Sequence, residues 1–216
     1  MQRKPGRRTP ERILEVSLKL FNHFGEHNVT TAVIADELNI SPGNLYYHFH
    51  GKDEILEALF ARFENEVEGI LSAPAQRPAN VEDIWLFLHL LFEGIWRYRF
   101  LYRDLSDLLS RNRVLETHFK RIVDHKQRTA RTLCEGLVAQ GQMRADAKEL
   151  DALSTNMGAT ATCWLSFEYV RNPRNMIESE VLARGAYHIM CMIAPYLVGA
   201  ARTLFDRLAH EYLTRH

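Results

Sequence analysis

The segment Ser41-Pro42-Gly43-Asn44-Leu45-Tyr46-Tyr47-His48-Phe49 constrains the fold more than any other stretch of this 216-residue chain. A small-residue turn opens a short helix carrying an asparagine, two adjacent tyrosines and a histidine, and Lys52 stands at the start of the next helix. Upstream, Val29 to Ile40 reads as a preceding helix and a tight turn, so residues 30–49 form a helix-turn-helix. Ile34, Ala35 and Leu38 make the inward face of the first helix, and Ile40 plugs the turn. Leu45 and Phe49, four apart, anchor the second helix from behind. With the inward positions taken, Tyr46 and Tyr47 cannot both be core residues.

Residues 10–56 resemble the DNA-binding domain of the TetR family of bacterial repressors. The resemblance lies in Ile34-Ala35 of the first helix, Ile40-Ser41 of the turn, Gly43 to Phe49 of the recognition helix, and Lys52 beyond it. Asn39 stands where that family usually has glycine, and asparagine tolerates a positive φ better than other non-glycine residues. Phosphate contacts supply register and affinity, whereas base-edge contacts supply specificity. Thr30, Thr31, Ser41, Tyr47 and Lys52 form the expected phosphate set, helped by backbone amides at a helix N-terminus. Gly43, Asn44, Tyr46 and His48 are the base-edge candidates: glycine permits close approach, asparagine pairs two ways with adenine, and a tyrosine ring can lie on a thymine methyl. Residues matching Tyr46 and Tyr47 contact phosphates and bases in the family, so the resemblance implies the same here. Lys52 begins a helix, where a cation is unfavourable to the dipole, and so calls for an anionic partner, which a phosphate would provide.

Acidic and basic residues balance at 27 each, so total charge does not point to nucleic acid. Their distribution does. Arg3, Lys4, Arg7 and Arg8 precede the first acid, Glu11, and residues 1–9 read as a flexible basic arm. No secretory leader is visible, and the longest apolar stretch, Ala186 to Ala201, is broken by His188 and Pro195 and falls short of the ~20 residues of a spanning helix. A cytoplasmic protein is expected. Cys134, Cys163 and Cys191 are odd in number and lack metal-ligand spacing. His188 and Cys191 lie three apart on one helical face, but two ligands are too few for a metal site. Neither a nucleophile–base arrangement, a glycine-rich phosphate loop nor a metal motif occurs, so no catalytic residue, metal or cofactor is assigned.

The remaining pattern is helical throughout. Thr9-Pro10-Glu11 starts a helix near residue 10 whose stripe of Ile13, Leu14, Leu18, Leu20, Phe21 and Phe24 ends at Gly25. A long amphipathic stretch from Lys52 to about Leu71 is expected to couple two domains, and residues 72–80 read as a loop with two prolines. Helices follow near 81–98, 101–110, 113–141, 147–171, 176–199 and 201–214, with breaks at Gly141, Asn172-Pro173 and Gly199. The expected fold is all-α: a basic arm (1–9), a three-helix helix-turn-helix domain (10–51), and a helical effector-binding and dimerisation domain (52–216).

The resemblance further implies a homodimer on a palindromic double-stranded operator and a small-molecule effector held in the helical core. Trp96, Phe100, Tyr102, Phe119, Trp164 and Phe167 are the expected effector residues, within an aromatic-rich region suited to an apolar ligand. The last two long helices pair across a two-fold axis in the family, which assigns the stripes Met157, Ala161, Trp164, Leu165 and Leu182, Gly185, Ile189, Met192, Ile193 to the dimer interface. These readings predict a ligand-released repressor. A DNA-binding architectural protein without effector control is the alternative.

Overall fold

A computed structural model describes residues 9–73, 80–173 and 177–215. The arm residues Arg3, Lys4, Arg7 and Arg8 and the loop prolines Pro74 and Pro78 lie outside the described residues. The fold is all-α, as expected, with no strand among the described residues. Eleven helices are described: α1 (Thr9–Phe24), α2 (Thr31–Leu38), α3 (Pro42–His48), α4 (Lys52–Ser72), α5 (Val81–Arg97), α6 (Arg99–Arg103), α7 (Leu105–Arg111), α8 (Arg113–Ala139), α9 (Ala147–Arg171), α10 (Glu178–Ile193) and α11 (Gly199–Arg215). None of the described helices is long and apolar enough to cross a membrane.

The chain divides into two compact units, the first comprising residues up to Asn65 together with Tyr98–Thr117. In α1, Ile13, Leu14, Leu20 and Phe21 are buried, whereas Phe24, expected on the same stripe, is exposed. Gly25 ends the helix at φ 87, and a Cβ there would stand 2.5 Å from Nη2 of Arg103. That guanidinium donates to the Phe21 carbonyl at 3.3 Å, placing a cation at the negative end of the α1 dipole. The backbone N–H of Phe100 donates to Oδ1 of Asn22 at 3.1 Å, and the Phe100 ring lies 5.3 Å from that of Phe21. Tyr102 packs its ring 5.7 Å from that of Phe63 and is fully buried. Residues 98–117 are therefore structural partners of α1 and α4, although the sequence groups them with the effector domain. The single helix expected at 101–110 is two, because Asp104 leaves helical geometry at φ −110, ψ 24.

The second unit comprises Glu66–Arg97 and His118 onward. α10 packs against α5 and α9, and α11 against α5 and α10. Gly185 allows the closest of these approaches, since a Cβ would meet the Phe92 ring at 2.7 Å. Trp164 satisfies its indole N–H on the Val181 carbonyl at 2.9 Å, and buried Glu168 pairs with Arg184 at 2.7 Å. A capping box between Asp146 and Glu149 starts α9. The helix expected at 176–199 stops at Ile193, where a short 3₁₀ turn containing Pro195 intervenes. Gly199, expected to end a helix, begins α11 instead. The turn is held by the N–H of Arg144 donating to the Tyr196 carbonyl at 2.9 Å and that of Val198 donating to the Gln142 carbonyl at 3.0 Å.

Candidate DNA-reading site and helical core

Two capped helices and one left-handed residue build the reading head. The Thr30 hydroxyl accepts from the Val33 N–H at 3.3 Å and Ser41 from the Asn44 N–H at 3.1 Å, satisfying N-terminal donors of α2 and α3. Each hydroxyl acts here as an acceptor, which leaves its O–H proton to be donated. Asn39 adopts φ 54, ψ 47, the only positive φ of a non-glycine residue described, so it closes α2 in the conformation expected of the family's glycine. Pro42 takes the first turn of α3, where its missing N–H costs nothing. Leu45 is buried, while Tyr46 and Tyr47 are 60% and 80% exposed. Gly43 and Asn44 are exposed beside them and His48 is partly so. The Tyr46 ring meets His50 edge-on at 5.1 Å, and Tyr47 meets His48 likewise. A Cβ on Gly43 would touch little, so nothing within the chain demands glycine there.

Lys52 has an anionic partner inside the protein. Its ammonium is 3.1 Å from Oε1 of Glu26, which is fully buried, and donates to the Glu26 carbonyl at 3.1 Å. Arg111 binds the other carboxylate oxygen, and Asp107 in turn holds Arg111 at 2.8 Å. Sequence reasoning supplied a phosphate where the chain supplies Glu26. Lys52 keeps a quarter of its side chain exposed, so a phosphate contact is compatible with this pairing. Lys52→Ala is expected to lower unfolding free energy by about 1 to 3 kcal/mol, since it weakens the solvation of a buried carboxylate. Urea denaturation checks this, and an unchanged midpoint would show the pair to be inert.

The six expected effector residues divide between the two units. Phe100 and Tyr102 are buried in the first; Trp96, Phe119 and Trp164 are buried in the second; Phe167 is 52% exposed on α9, with its ring 5.7 Å from Trp164. The sequence reading passed over Lys126. It sits on the buried stripe Phe119, Ile122, Thr129, Leu133, Leu137 of α8, apolar but for Thr129, and is only 3% exposed. A charge at a stripe position was the available signal. Nζ of Lys126 donates to the Thr162 hydroxyl at 3.3 Å and lies 5.8 Å from the centre of the Phe119 ring. Burial pushes its pKa down to about 7, with the Cys163 thiol acting the other way.

The family model TetR, "Bacterial transcriptional repressor", spans residues 62–205, and that for the N-terminal region, "Bacterial regulatory proteins, tetR family", spans 13–59. The chain belongs to the TetR family. It is accordingly a transcriptional regulator and not an enzyme. A TetR-family regulator from Marinobacter aquaeolei VT8 is 33% identical, with 94% of this chain and 98% of that one covered at a TM-score of 0.86. The regulator UidR of Escherichia coli (strain K12) is 34% identical over 70 residues, 29% of this chain and 36% of that protein. The chain thus spans about a third of the length of this curated relative. A transcriptional regulator from Saccharomonospora viridis, solved in complex with choline, has the same fold at 21% identity, with 89% of this chain and 98% of that one covered and a TM-score of 0.69.

TetR-family proteins bind DNA and form dimers. The stripes that the sequence assigned to dimerisation are nonetheless mostly filled within one chain. Met157, Ala161, Trp164, Leu165, Leu182, Ile189 and Ile193 are all buried, with α10 packed against both α5 and α9. The exposed residues of α9 include Ala159, Cys163, Phe167, Tyr169 and Val170.

Proposed function

We propose that this TetR-family regulator is a cytoplasmic repressor that binds a palindromic operator as a homodimer and is released by a small-molecule effector. Residues 1–9 act as a basic arm, 10–51 read DNA, and 52–216 serve effector binding and dimerisation. The observation that carries the DNA reading is the outward display of Asn44, Tyr46 and Tyr47 on a helix whose Leu45 is buried. Two tyrosines so exposed contribute little to the chain's own core, and aromatic rings with hydroxyl tips suit a groove floor and a phosphate wall. Thr30, Thr31, Ser41, Tyr47 and Lys52 hold phosphates; Gly43, Asn44, Tyr46 and His48 face base edges. A dimer is needed because one helix-turn-helix reads a single half-site. Its interface falls on the exposed apolar residues Phe167 and Val170.

Operator selected from random duplexes tests the reading. Tyr47→Phe is expected to weaken binding to operator and random DNA alike, and Tyr46→Ala to erode the preference for operator, each by about ten- to a hundredfold where a direct contact is lost. Neither should move the unfolding midpoint appreciably, since both side chains are exposed. Full operator affinity in the Tyr46→Ala, Tyr47→Phe double variant would overturn the reading.

The effector is proposed to bind among the aromatic residues of the second unit, Trp96, Phe119, Trp164 and Phe167; the other two expected residues, Phe100 and Tyr102, are packed in the first unit. It shifts the operator-binding equilibrium only as far as it binds one arrangement better than the other. An architectural protein without such control would bind operator identically with and without ligand.

A further inference from the structure

We propose that Arg111 is a positioning residue for DNA binding: by neutralising Glu26 it leaves the charge of Lys52 to a backbone phosphate. This rests on the DNA-reading proposal above and adds to it how that lysine is prepared. Glu26 is 1% exposed in the turn between α1 and α2, where an uncharged side chain would avoid the loss of hydration. Its carboxylate lies instead between two cations. The Lys52 ammonium is 3.1 Å from Oε1, and Arg111 pairs with Oε2. Lys52 also donates to the backbone carbonyl of Glu26 at 3.1 Å, which fixes the ammonium independently of the carboxylate. An ammonium has three donors, so with one on the carbonyl and one turned toward Oε1 a third remains for the quarter of the side chain that is exposed.

Were Lys52 the sole cation beside Glu26, the carboxylate would cancel its charge, and an approaching phosphate would meet a dipole. Arg111 changes that balance. One buried carboxylate with two cations leaves a single positive charge, and Asp107, the second carboxylate nearby, is 58% exposed and so screened by water and salt. Asp107 also holds Nε of Arg111 at 2.8 Å from one turn earlier on α7, so the guanidinium is oriented on both sides. Its donors are thus directed at Asp107 and Glu26, whereas the exposed side of Lys52 is turned to solvent. A surface lysine loses rotamer freedom when it grips a phosphate, and a lysine already held by Glu26 has lost it before DNA arrives. All four side chains belong to the first unit, which also carries Tyr46 and Tyr47.

The test measures binding of the full chain to a duplex of random sequence across a salt series, with each variant checked for folding by circular dichroism and thermal melting. Lys52→Met is expected to flatten the double-logarithmic salt slope by about 0.9, the share of one phosphate, and Arg111→Met by most of that amount. The Lys52→Met, Arg111→Met double variant should bind as Lys52→Met does, since the arginine acts through the lysine. Adding Glu26→Gln to Arg111→Met should restore the wild-type slope, because an amide no longer claims the lysine's charge. A merely structural or directly DNA-bound Arg111 gives a different pattern. Equal losses from Arg111→Met with and without Lys52, a loss that persists beside Glu26→Gln, or a wild-type slope in folded Arg111→Met would overturn the proposal. If Arg111→Met does not fold, the Glu26→Gln, Arg111→Met protein, which strands no charge, decides the matter: Lys52→Met must there flatten the slope in full, and no flattening overturns the proposal. A wild-type slope in Lys52→Met also overturns it, yet the DNA reading stands if Tyr47→Phe still weakens binding. Wild-type protein that leaves the duplex unbound removes both.

Discussion

Ile189→Asp is expected to unfold the second unit. Ile189 is 1% exposed within a single chain, on the α10 face that α5 and α9 cover. A carboxylate there would lose its hydration with no cation to replace it, a penalty of at least about 4 to 5 kcal/mol and a large share of a domain's stability. The expected readout is loss of the cooperative thermal transition or a fall in its midpoint of ten degrees or more, at every protein concentration. Val170→Asp makes the contrasting case. Val170 is 80% exposed on α9, so a charge there costs the folded chain little. On the dimer proposed above it should weaken association and make operator binding depend steeply on protein concentration, as sedimentation would report. A folded, monomeric Ile189→Asp would show that the α10 stripe belongs to the subunit interface after all.

Lys126 gives stability a pH dependence of unusual direction. Its folded pKa is lowered to about 7 from 10.5, so between those values the unfolded chain holds a proton that the folded chain has released. Stability therefore rises with pH across that window, and below pH 7 the cost of burying the charge is fully present. The whole shift corresponds to about 4 to 5 kcal/mol. The buried Cys134 thiol, raised to about 11 from 9.0, acts oppositely above pH 9, because the unfolded thiol ionises first. Below pH 9 the Cys134 thiol therefore does not oppose Lys126. Lys126→Met should be more stable than wild type at pH 6.5, and the difference should shrink by about 2 to 3 kcal/mol by pH 9 in paired urea titrations. A difference independent of pH would mean that the ammonium is hydrated in the folded chain.

Helices and turns were legible where local chemistry decides them. Asn39 in left-handed geometry, Leu45 inward and the tyrosines outward follow from a few adjacent residues, because those conformations are governed by backbone sterics and local periodicity. Partners distant in sequence were not. The periodicity of α10 says that Ile189 and Ile193 are buried, yet it cannot say whether α5 or a second subunit covers them. The need of Lys52 for an anion was visible, but Glu26, 26 residues upstream, was not identifiable as its source. Pro195 was read as an interruption of an apolar run and its effect on the helix end was missed, although a residue with no N–H predicts just such a stop. The candidate effector residues carry no local signature, since an aromatic ring at helical spacing reads the same in a core as against a ligand.

The Glu26 cluster limits how this regulator can be recombined with its relatives. A chimera cut after residue 51 would carry Gly25 and Glu26 into a new protein while leaving behind Arg103, which closes α1, and Lys52 and Arg111, which neutralise the buried carboxylate. The foreign host would have to offer three cations at matching places or accept a stranded anion beneath the reading head. Operator specificity in this lineage therefore travels most cheaply by exchanging the few outward residues of α3, with residues 98–117 kept alongside the helices they were selected to fit.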